Sequence, residues 1–508
     1  MKRTTLSLIA AATALAAVTG FAALTAPDGS VSVGAKAPAK LPVERSSLLC
    51  PAPSSSELAE TDYTSYTPGS TGSGSSTAAA SAAPATAQLK AAPTAATPGG
   101  TTAKKPGAAK APATVTQPGK PVAAEANGPT APALTGSATG GLAPGWTVQQ
   151  TTVVTAGGAR GLLGVTCTAP DTDFWFPAAS TAKGRQDYVH LTNPDDSAAV
   201  ADIELYGPEG VLKSQLTEGI PVPAHSTVPV LLSTLTGDAP AADLTVHVTT
   251  RSGRVGAVVG AADDKLGSDW LPASADPAGT AVLPGIPADA TSVRLVAYAP
   301  GENDAELKIQ LVGETGTIVP ASAQSLHVKS GMTAAVDLPD LTRGETGSLL
   351  LTPSDPKKST PFVAALRVTR GKGDKQEVAF IPATAAIGTR ATVADNRAAG
   401  STLSLTAPGE AAQVKVTASA GTGGGTPVSK TVTVKAGTTT EVTDLVPAGL
   451  KGSYALTVEP VSGGPVHASR LLAVQEDGIP MFTVQTLVDD RGMVAVPTAK
   501  QDLSVLDD

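Results

Sequence analysis

The sequence predicts an all-β protein of tandem immunoglobulin-like β-sandwich repeats, with an N-terminal signal or anchor segment and a disordered low-complexity insertion. Segments such as "YVHLTNPDDSAAVADIELYGPEG" alternate apolar and polar residues between turn residues, which is typical of half-buried strands. Comparable segments recur at intervals of roughly 105 residues, each with about seven short strands, as in sandwich repeats. No helical periodicity of useful length follows the N-terminus. A β-propeller is the alternative, but its usual blades are much shorter and three would not close a ring.

The composition restricts the core and the partners. The chain has 508 residues, enough for roughly three or four domains. Aromatic residues make up only 3%, so Ala, Val, Thr and Leu must supply most of the core. Such a core suits thin sandwiches better than large ligand cavities. The net charge of −8, without a basic patch, argues against nucleic acid as a partner.

The N-terminus predicts export. Residues 1–26 contain Lys2 and Arg3 followed by an apolar run, which is typical of a signal peptide. The run is also long enough to anchor the chain in a membrane, so both alternatives stay open. A linker is predicted over 27–44 and a tail over 499–508.

A degenerate first β-unit is predicted from two pieces, 45–66 and 143–170. Between them, residues 67–142 are rich in Pro, Ala, Thr and Gly and are predicted to be a disordered insertion. The two cysteines, Cys50 and Cys167, flank this insertion. In an oxidising compartment we expect them to form a disulfide that closes the unit, although two unpaired thiols are the alternative.

Three complete repeats are predicted over 171–266, 267–377 and 378–498. They open with "DFWFPA", "SDWLPA" and "VAFIPA". This alignment makes Trp175 equivalent to Trp270, and we expect both to pack at junctions between units; a ligand platform is the alternative. The predicted repeat positions also include the prolines of these openings and three prolines spaced by 106 and 108 residues, namely Pro177, Pro272, Pro382, Pro194, Pro300 and Pro408.

The pattern resembles a family of secreted proteins from high-GC Gram-positive bacteria, domain-of-unknown-function family 5719. The resemblance rests on "PVERSSLLCPAP", "TDFWFPAAS", the strand segment quoted above and "GPVHASRLLAV". It implies an envelope protein, often encoded beside a membrane glycosyltransferase, and supplies no catalytic residue.

No constellation for catalysis, cofactor binding or metal binding is predicted. The five histidines, His190, His225, His247, His327 and His467, lack metal-ligand spacing. Acidic pairs at turns, such as Asp263 and Asp264, match no calcium loop. Tyr188, Tyr206 and Tyr298 are too few to suggest a deep glycan platform.

The predicted function is that of an exported, non-enzymatic envelope protein that binds an unknown envelope protein or glycan. Its predicted location is extracellular or the cell envelope, and it meets the membrane only through an uncleaved N-terminal segment. An accessory subunit of envelope glycan or lipoglycan assembly is the first alternative. An enzyme of unrecognised type is the second.

Overall fold

Strand alternation directs small apolar side chains into the interior of the protein. In the segment 199–207, Ala199, Ala201 and Leu205 are buried while the intervening side chains are more exposed. The computed structural model describes residues 38–69, 85–95, 114–214, 218–237 and 240–496. These residues form 37 strands, numbered along the chain, a 3-10 helix at Gly140–Leu142 and one short α-helix, α1, at Ser233–Thr236. The prediction of an all-β protein is confirmed.

The chain divides into two units, of which the larger is Val43–Gly492. The other unit comprises Met1–Pro42 and Met493–Asp508. Its described part is a two-stranded antiparallel ribbon of β1 (Ala39–Pro42) and β37 (Met493–Val496). The strand β1 lies within the predicted linker 27–44, so that prediction is wrong for these residues. The predicted segments 1–26 and 499–508 lie outside the described residues.

Sandwich 1 comprises the first seven strands of the larger unit. One sheet has the order β2-β6-β4 and the other β5-β3-β7-β8. Cys50 and Cys167 are bonded and buried in the core between the sheets, as predicted, with Cα atoms 4.5 Å apart. The strands are β2 (Arg45–Cys50), β3 (Ala59–Tyr66), β4 (Ala87–Ala92), β5 (Val122–Asn127), β6 (Ala133–Thr139), β7 (Thr147–Val154) and β8 (Gly161–Thr166).

Sandwich 2 follows directly. Its sheets have the orders β9-β15-β11-β12, with β13 also on β11, and β14-β10-β16-β17. The strands are β9 (Asp173–Ala179), β10 (Arg185–Thr192), β11 (Ala199–Gly207), β12 (Gly210–Leu212), β13 (Ile220–Val222), β14 (Thr227–Leu231), β15 (Leu244–Ser252), β16 (Gly256–Asp263) and β17 (Gly267–Leu271).

Sandwich 3 repeats this topology with β18-β24-β20-β21, where β22 also pairs with β20, and β23-β19-β25-β26. The strands are β18 (Ala281–Ile286), β19 (Ala290–Tyr298), β20 (Ala305–Val312), β21 (Thr317–Ile318), β22 (Ser325–Val328), β23 (Thr333–Asp337), β24 (Gly347–Pro353), β25 (Val363–Lys372) and β26 (Lys375–Pro382).

Sandwich 4 has the sheets β27-β34-β29-β31 and β32-β28-β35-β36, and a small ribbon of β30 and β33. The strands are β27 (Ala391–Asn396), β28 (Ser401–Ala407), β29 (Ala412–Ala418), β30 (Gly424–Thr426), β31 (Val428–Val434), β32 (Thr438–Val442), β33 (Ala448–Lys451), β34 (Tyr454–Gly463), β35 (His467–Glu476) and β36 (Ile479–Leu487).

The four sandwiches close into a ring. In each sandwich we call the sheet with its first strand the opening sheet and the sheet with its last strand the closing sheet. The first strands β2, β9 and β18 contact the closing sheet of the next sandwich, and β27 contacts β3 and β7 of sandwich 1. Sandwich 4 thereby returns to sandwich 1.

The last strands of the four sandwiches meet at the centre of this ring. There β8 contacts β17, β17 contacts β26, β26 contacts β36, and β36 contacts β8. We call these four strands the hub. Both faces of these strands are largely buried, as in β17, where all five residues are buried.

The predicted repeat boundaries require correction. β17 and β26 pair with the preceding strands β16 and β25 in hairpins, so they end sandwiches 2 and 3. The predicted boundary at 266/267 instead assigns β17 to the following repeat, and the boundary at 377/378 divides β26. The immunoglobulin-like type of the sandwiches stays a prediction.

The predicted equivalence of Trp175 and Trp270 is also wrong. Trp175 lies in β9, the first strand of sandwich 2, whereas Trp270 lies in β17, its last strand. Pro272 follows β17 and Pro382 ends the equivalent strand β26, but Pro177 lies inside β9. Pro194, Pro300 and Pro408 each follow an equivalent strand, namely β10, β19 and β28.

The predicted insertion 67–142 is not a single disordered segment. It contains β4, β5 and β6, which complete both sheets of sandwich 1. Pairing with neighbouring strands and burial of Leu89 and Leu134 overcome the weak strand propensity of this Ala-rich stretch. Residues 70–84 and 96–113 lie outside the described residues.

Candidate functional site

The free edge of β8 is capped by two carboxyl groups from other sandwiches. The backbone N–H of Leu162 donates to Glu377 Oε1 of sandwich 3 at 3.1 Å, and that of Gly164 donates to Asp269 Oδ1 of sandwich 2 at 3.0 Å. An edge strand presents alternate N–H groups away from its partner, and these require acceptors when buried. The two side chains therefore join three sandwiches at the hub.

Glu377 lies fully buried beside one cation. Its Oε2 atom is 3.6 Å from Arg160 Nη2, which also donates to the carbonyl of Gln376 at 2.6 Å. Burial raises the pKa of Glu377 to about 8, against the opposing effects of the Leu162 N–H and Arg160. Gly267 lies against the carboxyl group, since a Cβ atom there would be 2.7 Å from Oε2.

Asp269 is the second buried carboxyl of the hub. Besides Gly164, it accepts a hydrogen bond from the N–H of Trp270 at 2.8 Å. Thr483 Oγ1 lies 3.0 and 3.1 Å from its two oxygens. Burial raises the pKa of Asp269 well above its usual range, and the nearby Glu377 raises it further. Asp269 therefore links sandwiches 1, 2 and 4.

Arg470 is a buried cation in β35, next to the hub. Its Nη2 donates to the carbonyl of Ala394 at 3.4 Å, while Nε and Nη1 have no partner within the described chain. Burial lowers the pKa of Arg470 to about 10, and the charge of Asp395 opposes this shift. The charge is thus enclosed with few hydrogen bonds.

A cleft opens over Glu377 where three hairpin turns meet. The turns β7–β8, β16–β17 and β25–β26 enclose about 590 Å³, and we call this the hub cleft. Its polar and charged side chains include Arg160, Asp263, Asp264, Lys265, Asp374 and Gln376. Since each turn belongs to a different sandwich, the cleft exists only when sandwiches 1, 2 and 3 pack together.

The charged groups of the hub cleft differ in whether they already contact other groups of the protein. Asp263 Oδ1 accepts the backbone N–H groups of Lys265 and Leu266 at 2.9 and 3.0 Å, which fixes its own turn. Arg160 is held by Gln376 and Glu377, as described above. Among the described residues, no side-chain partner contacts the carboxylates of Asp264 and Asp374 or the ammonium of Lys265. These three groups are therefore free to meet a ligand.

The two tryptophans of interest lie at two different junctions. Trp270 is 2% exposed and packs against Val154, Leu163 and Val165 of sandwich 1. Trp175 packs against Tyr298 and Val363 of sandwich 3. Both are buried between sandwiches, so neither offers an open aromatic platform.

The aromatic junction around Trp175 also carries charge. The His247 ring stacks on Trp175 with centroids 3.6 Å apart, and its Nε2 lies 3.2 Å from Asp173 Oδ2. The rings of Tyr206 and Tyr298 lie 4.5 Å apart. Tyr188 lies apart from this junction, in β10 of the closing sheet.

The remaining histidines do not converge. Burial lowers the pKa of His190 and of His467 to about 4. His225 lies 2.7 Å from Asp196, and His327 contacts Asp304 and Glu306. Within the described ranges, no group of three or more His, Cys, Asp or Glu side chains has an arrangement that would hold a metal ion. None of the helices there has the length and apolar character needed to cross a bilayer.

Sequence analysis did not identify Asp269 and Glu377. Each carboxylate lies directly before the apolar part of its strand, in "SDWLP" and "QEVAFIP", and this was the available signal. A second missed set is Thr227, Thr333 and Thr439, which recur every 106 residues at junctions. Thr333 Oγ1 donates to the carbonyl of Tyr206 at 2.9 Å, and Thr439 Oγ1 to that of Val312 at 2.7 Å.

One family model matches the chain. It is described as a family of unknown function (DUF5719) and covers residues 122–444, more than half of the sequence. The match includes parts of all four sandwiches. No curated protein matches the chain.

Proposed function

Since the chain belongs to the DUF5719 family, whose function is unknown, we propose from the hub that it is an exported, non-enzymatic envelope protein that binds a partner. The ring would act as a rigid module, and the hub cleft would receive a protruding part of an envelope protein or glycan. The observation that carries this proposal is the convergence of three turns on one polar cleft with free charged groups.

Export is supported by two features. The N-terminus has the charge and apolar pattern of an export signal. The bond between Cys50 and Cys167 is of a kind that persists in oxidising compartments. We propose that the protein functions outside the cytoplasm, either released or anchored by residues 1–26.

Site-specific photocrosslinking tests the binding site. A photoreactive phenylalanine analogue replaces Lys265 in the hub cleft, and a matched control replaces Glu209 in the exposed turn between β11 and β12. We expect intact cells to yield a crosslinked species at position 265 and none at 209. Loss of this crosslinked species when Asp374→Lys is introduced would show that the charge of the hub cleft contributes to partner binding. No crosslink at 265, or equal crosslinks at both positions, would contradict the proposal.

A further inference from the structure

Two buried carboxyl groups hold the hub together in place of backbone pairing. Glu377 and Asp269 cap neighbouring N–H groups of β8 from sandwiches 3 and 2. Neither side chain is open to solvent, so ionisation would leave negative charge without water. Their junction must therefore respond to the protonation of these groups.

We propose that Glu377 and Asp269 form a proton-dependent clasp, which holds the central strands together when protonated and loosens the floor of the hub cleft when ionised. A neutral carboxyl can still accept the N–H of β8 through its carbonyl oxygen. An ionised pair would place two like charges near each other in a poorly solvated interior.

The charges that surround the clasp do not fully neutralise it. Arg160, the residue before β8, approaches Glu377 at 3.6 Å without a hydrogen bond between them. Arg470 of β35 interacts electrostatically with Asp269 but points its Nη2 at Ala394. From β36, Thr483 supplies only a hydroxyl group. Each carboxyl group thus has one cation nearby, but the cost of burying an ionised carboxylate exceeds the attraction to that cation.

The clasp and the hub cleft share structural elements. Arg160 lines the cleft and contacts Glu377, Gln376 lines it next to Glu377 in β26, and Gly267 lines it against Glu377 Oε2. Movement of Glu377 on ionisation would therefore shift the cleft floor. This consequence for partner binding rests on the proposed function, whereas the clasp itself does not.

The direction of the pH effect follows from Glu377. Its pKa is about 8 in the folded protein against a usual value of 4.5, so the folded state holds the proton more tightly. The resulting stabilisation is complete below pH 4.5 and is lost as the pH rises through about 8. Within that window each pH unit changes the unfolding equilibrium constant by up to about tenfold.

Thermal unfolding between pH 5 and pH 9 tests the clasp without any partner. We expect the Tm of the wild type to fall by about 1.5 °C per pH unit across pH 5–8. Glu377→Gln and Asp269→Asn, which mimic the protonated groups, should each flatten this slope. The exposed control Glu209→Gln should keep the wild-type slope. A wild-type slope in Glu377→Gln, or no slope in the wild type, would overturn the proposal.

A direct titration of the wild type tests the clasp even if the variants fail to fold. In wild-type protein with ¹³C-labelled glutamate carboxyls, one resonance should titrate near pH 8. If every glutamate titrates near 4.5, the clasp is refuted. If the clasp is supported but Lys265 gives no crosslink, only the proposed binding function fails.

Discussion

Substituting Trp270 by Ala distinguishes packing between sandwiches from ligand binding as the function of this side chain. The side chain is buried by sandwich 1 and meets His190 edge-on, with ring centroids 5.2 Å apart. A buried aromatic side chain removes about 150–250 Å² from water, worth about 4–6 kcal/mol at about 25 cal/mol per Å². Its Nε1 has no hydrogen-bond partner among the residues that the structure describes, so truncation also relieves a buried N–H, worth about 1–2 kcal/mol. We therefore expect Trp270→Ala to reduce the free energy of unfolding by about 3 kcal/mol.

Calorimetry and hydrogen exchange give distinct outcomes for the two tryptophans. Trp270→Ala should increase exchange in β7, β8 and β16, whereas Trp175→Ala should do so in β19 and β25 of sandwich 3. As a control, Trp146→Ala should increase exchange within sandwich 1 but not in β16, β19 or β25, because Trp146 lies in the core of sandwich 1. A Trp270→Ala melting curve identical to wild type, or faster exchange only in β19 and β25, would refute the junction assignment.

Three further perturbations follow from the contacts. Cys50→Ala with Cys167→Ala should lower unfolding free energy by about 5 kcal/mol, because the bond spans 117 positions; quantitative alkylation of wild-type thiols without reductant would contradict the bond. Thr439→Val should lower the free energy of unfolding in urea by about 1–2 kcal/mol, because the carbonyl of Val312 loses the Thr439 hydroxyl as a donor. The control Thr431→Val, at an exposed position of β31, should lower it little. Equal effects of the two substitutions would contradict the Thr439 contact. Arg470→Met should be neutral or stabilising by about 1–2 kcal/mol, because a poorly bonded buried charge is replaced by an apolar chain; a loss above about 3 kcal/mol would mean that Arg470 is well paired.

Local features of the sequence determined the strands and several of their landmarks. The period-two alternation predicts β11, β20 and β29 because alternate side chains of a strand face opposite sides. The recurring Pro194, Pro300 and Pro408 each follow an equivalent strand, in keeping with the lack of a backbone N–H on proline, which disfavours its pairing within a sheet. The cysteine pair was likewise predictable, because two cysteines in an exported chain allow only one intramolecular bond.

Tertiary structure decided which sheet each strand joins. The likeness of "FWFP" and "DWLP" is local, but β9 pairs with β15 and β17 pairs with β16 on the opposite sheet. The Ala-rich segments of β4 and β6 became strands because β6 pairs with β2 and β4 pairs with β6, and intrinsic strand propensity does not include such pairing.

Ring closure also decided the chemistry of the hub. From the sequence, Asp269 and Glu377 look like solvent-facing strand residues, because alternation describes only the two faces of an isolated sandwich. A third environment arises when four last strands meet, and it buries these carboxyls against the free edge of β8. Their proton affinity depends on that burial, which contacts between distant parts of the chain create.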